Sequence, residues 1–244
     1  NTTHSASYLR LIALDQNFGN LVSDINNKGV NNFINQSFRV KLKLDTVGGE
    51  WVNDVNFNFS NSNTDQNYSN VLVSKSTVSG GDGTFGNDRN YFTYQSDIRK
   101  KINGINLESG IKTSVLHFNN HSDYTKNNGG QISPDPFRTS SFRYTEQINA
   151  AYVQGSKTWG PVILKVGSRL EQTIMQGHQL IPKDTTFAVN RTDAFPYVYL
   201  SRKIFSIMNY EVRSFLVYRK TISRPSYDYL NPFAKYIDPF TYEV

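Results

Sequence analysis

From Phe38 to Tyr218 the chain alternates apolar and polar residues with a period of two, in one run after another. Successive side chains of a β-strand point to opposite faces, so this pattern specifies strands with two chemically different sides. Phe38, Val40, Leu42 and Leu44 alternate with Arg39, Lys41 and Lys43. Trp51, Val55, Phe57 and Phe59 share a face, interrupted by polar Asn53. Phe92, Tyr94 and Ile98 come next, then Ile105, Leu107, Ile111 and Val115. Phe142, Tyr144, Ile148, Ala150 and Tyr152 follow, then Val162, Leu164, Val166, Leu170 and Ile174. Phe195, Tyr197 and Tyr199 precede a last clear strand with Tyr210, Val212, Ser214, Leu216 and Tyr218 on one side.

The connections alternate too. Gly48-Gly49, Asn103-Gly104, Trp159-Gly160 and a stretch around 202–208 are short. Asn-Gly between alternating runs predicts a type I′ hairpin, because both central residues need positive φ. Between the short turns lie long polar segments at about 60–90, 119–141 and 176–192, expected to be loops. Short turns on one rim and long loops on the other are the pattern of a membrane β-barrel. Runs such as 105–118 and 162–174 also exceed the usual globular strand of about 5–6 residues. They suit a tilted membrane-crossing strand of about 9–11.

No apolar run reaches the roughly 18 residues of a membrane helix. With 37% hydrophobic, 14% aromatic and 19% charged residues the chain should fold. No linker divides it, so residues 1–244 read as one unit. Zero cysteines exclude disulfides and thiolate metal sites. The net charge of +6 is dispersed, and its densest point, Arg99-Lys100-Lys101, precedes the Asn-Gly turn, which argues against nucleic acid.

Charge on a lipid-facing strand position is costly, so charged residues opposite the apolar sets are expected to face a polar lumen. These are Arg143, Arg169, Glu171, Glu211 and Arg213. Glu146 shares parity with Phe142, Tyr144 and Ile148, which leaves open a bulge or a place beyond the bilayer. Tyr91, Phe118, Phe142, Phe195, Tyr197 and Tyr210 near strand ends suit interfacial girdles.

Chemistry is sparse. His117 and His121 straddle a strand end and an Asn-rich segment, so no metal site is expected. No nucleophile elbow or carboxylate pair stands out, and neither catalysis nor a cofactor is expected. Gly80-Gly81-Asp82-Gly83 with Gly86-Asn87-Asp88 is one degenerate copy of a Gly/Asp calcium repeat, and reads instead as a flexible external loop.

After the last strand comes Arg224-Pro225-Ser226-Tyr227, then Leu230-Asn231-Pro232-Phe233 and Asp238-Pro239-Phe240. Pro225 ends the strand by removing a ladder donor. This segment resembles the barrel of TonB-dependent receptor-like outer-membrane proteins of the Bacteroidetes type. Asn87–Tyr91, Leu107–Lys112, Glu146–Tyr152, Gly167–Glu171 and Ala194–Pro196 resemble strand motifs of that family in the same order. The resemblance covers roughly 87–240.

It implies an all-β fold: part of an antiparallel transmembrane β-barrel of roughly eight to ten strands in the outer membrane of a Gram-negative cell. The chain is then expected to be a barrel segment of a larger receptor, without plug, TonB box or closing strands. The implied work is nutrient uptake and not catalysis. Implied partners are outer-membrane lipid, the TonB complex, a nutrient ligand and, as a further option, a surface lipoprotein. Tyr227, Leu230 and Phe233 would pack the motif loop over the barrel mouth, either bracing it or touching substrate. Two other readings remain: a non-transporting outer-membrane barrel, and a secreted soluble β-sandwich that binds a ligand.

Overall fold

The computed structural model describes residues 2–13, 16–72, 77–208, 210–223, 235–236 and 242–243. The strands are β1 (Thr2–Ala13), β2 (Gln16–Lys43), β3 (Glu50–Leu72), β4 (Thr77–Ile102), β5 (Ile105–Asn128), β6 (Gln131–Pro134), β7 (Ser140–Trp159), β8 (Val162–Ile181), β9 (Thr185–Ile207) and β10 (Tyr210–Arg219). Two short strands, β11 (Lys235–Tyr236) and β12 (Tyr242–Glu243), pair separately. All the others form one antiparallel sheet in the order β1-β2-β3-β4-β5-β7-β8-β9-β10, with β6 on β5. Each main strand thus lies between its neighbours in sequence, as in an up-and-down barrel wall. No second layer packs on this sheet among the described residues, which removes the β-sandwich reading.

The short turns are built as their residues dictate. Ile102 pairs Ile105 across Asn103 and Gly104, whose φ values are 50° and 78°. Asp45 accepts from Val47 N and Gly49 N at 3.0 and 2.6 Å, closing the β2–β3 turn. The β9–β10 turn is tighter than expected, since β9 continues to Ile207, which pairs Tyr210.

The long connections differ from expectation in kind. They do alternate with the short turns, but they are mostly strand. Ser60 pairs Arg89, and the ladder runs on to Leu72 and Thr77. The calcium-like Gly80–Asp88 stretch therefore lies inside β4. At about 3.3 Å per residue, the 23 residues of β3 reach about 75 Å. A membrane strand needs less than half of that. Polar Asn, Ser and Thr residues here are held by side-chain hydrogen bonds across strands, such as Asn67 Nδ2 to Asp82 Oδ1 at 2.6 Å.

The register sorts side chains onto two faces. Ser23, Tyr68, Asn70, Thr93, Leu116, Phe118, Tyr124, Phe142, Tyr144, Ala150, Glu171, Thr173 and Ser201 are buried, and cross-strand pairing puts all of them on the same side. A coiled sheet crowds side chains on its concave face and splays them on the other. We call the crowded side the inner face.

The outer face carries an exposed apolar belt next to the short turns. It includes Phe38 and Leu42, Phe57, Phe92 and Ile98, Leu107 and Ile111, Val153, Val166 and Leu170, and Leu200. Beyond the belt the same face turns polar: Asn61, Asn63 and Asp65 on β3, and His117, Asn119 and His121 on β5. On β8 the belt runs Val162–Leu170, about 27 Å along the strand and about 20 Å in height at a tilt near 40–45°. That approaches the roughly 25 Å band of an outer-membrane barrel. Asn53, the polar break in the belt, accepts from Tyr94 Oη at 3.1 Å. Trp51 donates Nε1 to Ser96 Oγ at 2.8 Å, and Lys157 lies 5.3 Å from the centre of the Trp159 ring, both near the short turns where amphipathic side chains anchor a membrane protein.

Candidate functional site: the inner face

The inner face has three tiers. Nearest the short turns is a charge ladder across five strands. Lys41 on β2 pairs Glu50 on β3, which lies 3.5 Å from Arg99 on β4. Arg99 Nε donates to Glu108 on β5 at 3.0 Å, and Glu108 accepts from Gln154 on β7. Arg39 meets Asp54, and Asp97 accepts from Tyr152 Oη at 2.8 Å and Gln95 Nε2 at 2.7 Å. On the far strands Arg169 lies 2.6 Å from buried Glu171, and Glu211 takes Lys203 at 2.8 Å and Arg213 at 3.1 Å. Side by side on one face, opposite charges satisfy one another where outward charge would meet lipid.

Arg169, Glu171, Glu211 and Arg213 therefore share the inner face. Arg143 does not. It pairs Asn119 and His178 on the outer face, exposed. Its neighbour Tyr144 is the one that points in. The reason is height: Arg143 is eight positions past Ala151 on the polar extension, where an outward charge meets no hydrocarbon. By the same register Glu146 is an inner-face residue without any bulge, and it accepts from Tyr144 Oη at 2.9 Å.

The second tier is an aromatic shelf. Leu116, Phe118, Phe142 and Tyr144 form a buried cluster with Tyr91 and Met175 against it, and Phe187 lies 6.5 Å from the Tyr144 ring. Tyr91, Phe118 and Phe142 are thus not girdle residues; past the belt they fill the concave face. Phe195 and Tyr197 pair Arg169 and Gly167 and also face inward. Only Tyr210 of the six keeps to the outer side, opposite Ile207.

The third tier, at the far end, is a strap that the alternation did not reveal. The chain leaves β6, turns at Asp135 and rejoins the β5 edge at Ser140, opposite Ser122, with the Arg138 side chain reaching over the inner face. Asp135 accepts from Phe137 N at 3.1 Å, an Asx-type turn, and its own N–H donates to Tyr124 O at 2.7 Å. Arg138 stacks 4.3 Å from the Tyr68 ring centre and 5.9 Å from that of Tyr124. Tyr124 Oη donates to Gln66 Oε1 at 3.1 Å. Burial raises both phenols above their ordinary range, and the Arg138 charge partly offsets this. Asp-Pro-Phe-Arg at 135–138 was the available sequence signal.

The motif residues Arg224, Pro225, Ser226, Tyr227, Leu230, Asn231, Pro232 and Phe233 lie outside the described residues. His117 and His121 stand on the outer face, with His117 Nδ1 3.1 Å from Thr145 Oγ1. Among the described residues no group of His, Asp or Glu could hold a metal ion.

An antiparallel meander with an apolar outer belt, a charged inner face and hydrophilic extensions is the wall of a membrane β-barrel. The chain belongs to the outer membrane protein beta-barrel family, whose sequence profile matches residues 42–244. It is a protein of the outer membrane. Its fold is also similar to the crystal structure of the ferric citrate transporter FecA in the unliganded form, at 12% identity and a TM-score of 0.36. That match covers 84% of this chain and 42% of the FecA chain, so the sequence spans less than half of that transporter. No curated protein matches the chain.

Proposed function

We propose that this chain forms part of the barrel of a TonB-dependent nutrient receptor, with the short turns at the periplasmic rim and the long extensions outside the cell. The Bacteroidetes-type motifs of the resemblance favour that group of bacteria as its source. The observation that carries the reading is the inner face itself. The charges of its ladder are paired, its far end is lined by amides, hydroxyls and aromatic rings, and that far end stands well clear of the membrane belt. Such a wall can receive a ligand outside and pass it towards the ladder. The protein does no bond chemistry in this reading; a plug domain and the TonB complex supply gating and energy. A surface lipoprotein and the nutrient itself are the other partners.

The test is uptake. Cells lacking the gene, and cells with the gene but no TonB, are grown on limiting amounts of single nutrients. Loss of growth on the same nutrient in both strains is expected. Full growth of the deletion strain on every nutrient tested would favour a non-transporting barrel and end the transport reading.

A further inference from the structure

We infer that the outer face carries a binding site for one membrane lipid, a phosphorylated glycolipid of the leaflet on the side of the long extensions. The inference uses the orientation proposed above and not the transport. The site begins as a trough along β7. Gly155 pairs Leu107 on β5 and Val166 on β8, and Ala151 pairs Ile111 and Leu170. In both rows a small residue lies between two large aliphatic ones. Val153 stands between the rows, and its own neighbours are Ser109 and Ser168. Around Ala151 the trough opens into a cavity of about 380 Å³, bordered by Tyr94, Ile111 and Leu170 and, towards the extensions, by Asn149 and Gln172. Val166 is at the middle of the belt and Leu170 at its edge. The trough therefore spans half of the belt, the depth of one leaflet.

Three features select the lipid. First, the trough takes a hydrocarbon chain. Lipid tails are as apolar as leucine, so the gain there is close packing, and a furrow between aliphatic ridges packs a chain better than a flat wall. Second, where the chain would end, the face offers amides and hydroxyls. Asn149 lies beside Thr113 and Gln172, and Gln172 beside Thr192. Asn149 Oδ1 accepts from Thr113 Oγ1 at 2.7 Å and from Gln147 Nε2 at 3.3 Å, which leaves the Asn149 amide N–H groups to donate. Such groups suit sugar hydroxyls. Third, a second cavity of about 310 Å³ follows on the same face, bordered by Asp88, His117, Asn119, Arg143 and Thr145. Arg143 is exposed and has no ion pair among the described residues; Asp88 accepts from Asn61 Nδ2, and His178 beside Arg143 is taken by Asp184 at 2.9 Å. Arg143 is six positions past Asn149, about 20 Å along the strand and about 14–15 Å in height. The phosphate of a phospholipid sits at the end of its chains, level with Asn149, where Thr113, Gln172 and Thr192 carry no charge. A phosphate borne on a sugar headgroup reaches the guanidinium, whose planar fork matches it.

The test uses the full-length protein in neutral detergent, titrated with lipid and read by native mass spectrometry. The probes are rough lipopolysaccharide, its dephosphorylated form, phosphatidylethanolamine and phosphatidylglycerol. Rough lipopolysaccharide should bind at one site, at least tenfold more tightly than either phospholipid. Ala151→Trp fills the trough and should weaken binding at least tenfold. Leu200→Trp, on the same belt but outside the trough, should bind as the parent does. Arg143→Gln should weaken binding severalfold and should bind the phosphorylated and dephosphorylated forms alike. Arg143 is exposed on the extension, so this variant keeps the inference falsifiable if Ala151→Trp fails to fold. Phospholipid bound as tightly as the glycolipid overturns the inference, as does binding unchanged in Ala151→Trp or Arg143→Gln. Equal loss in Leu200→Trp would reduce the effect to belt contact in general and overturns it too. Uptake is not read in this assay, so failure of the transport reading would leave the lipid site standing.

Discussion

Placing an arginine at Val166 tests the membrane belt most directly. Val166 is half-exposed on the outer face of β8, beside Gly155 on β7 and Val198 on β9. It is midway along Val162–Leu170, about 13 Å along the strand from either end and about 9–10 Å from either edge in height. An arginine facing lipid at that depth costs about 2–4 kcal/mol, falling to about 0–1 near the interfaces. Gln176 shares the outer face of β8 but is six positions beyond Leu170, on the polar extension. Gln176→Arg should stay within about 0.5 kcal/mol of the parent. Denaturant unfolding of the full-length protein in lipid bilayers, followed by tryptophan emission, gives both values. Val166→Arg should lower stability by about 2–4 kcal/mol, with Gln176→Arg near zero. Equal effects at the two positions, or no effect at Val166, would refute the assignment of outer face and belt height.

Accessibility gives an independent check of height. In a Cys-free background, Arg143→Cys should react with a membrane-impermeant maleimide on intact cells and Val166→Cys should not; protection of the thiol in Arg143→Cys would return that position to the lumen or the bilayer. The strap should depend on its cation–π stack, worth about 1–2 kcal/mol when partly desolvated. Arg138→Ala should leave the barrel folded but make residues 131–139 sensitive to protease, and unchanged cleavage would count against the stack. A Cβ at Gly83 would come 2.1 Å from the Tyr124 ring. Gly83→Val should therefore displace that ring and cost about 1–3 kcal/mol in the same unfolding assay. At Gly104, with φ of 78°, alanine should cost about 1–2 kcal/mol by straining the β4–β5 turn.

How much of this was legible in sequence depends on what each residue's neighbours supply. The Asn103-Gly104 turn and the outward sets of β2 to β5 and β8 follow from the period of two and from φ, both local properties. The extensions were not legible as strand. Asn and Gly have weak strand preference, and what orders these segments is the partner strand, as in Ser60–Leu72 against Thr77–Arg89. A sequence shows composition there and not pairing. The strap is hidden for the same reason: Arg138 acquires its role from Tyr68 and Tyr124, each far away in the chain.

β7 shows the sharper limit. Its apolar set, Phe142 to Tyr152, has the same period as its neighbours, yet it faces inward. Parity tells which residues share a face and never which face it is. That second fact comes from height. Within the belt the aliphatic side chains go outside, because lipid takes them and the lumen is charged, while the aromatic set Phe195 and Tyr197 of β9 faces inward even at belt height. Above the belt both sides are wet, and the apolar set goes to the crowded concave side, where Phe142 and Tyr144 bury each other. One strand can therefore follow a single alternation and obey two solvents, with the change of rule near Ala151. The misplacement of Arg143 and the puzzle of Glu146 are the same error seen from opposite faces, and both are resolved by where the hydrocarbon ends.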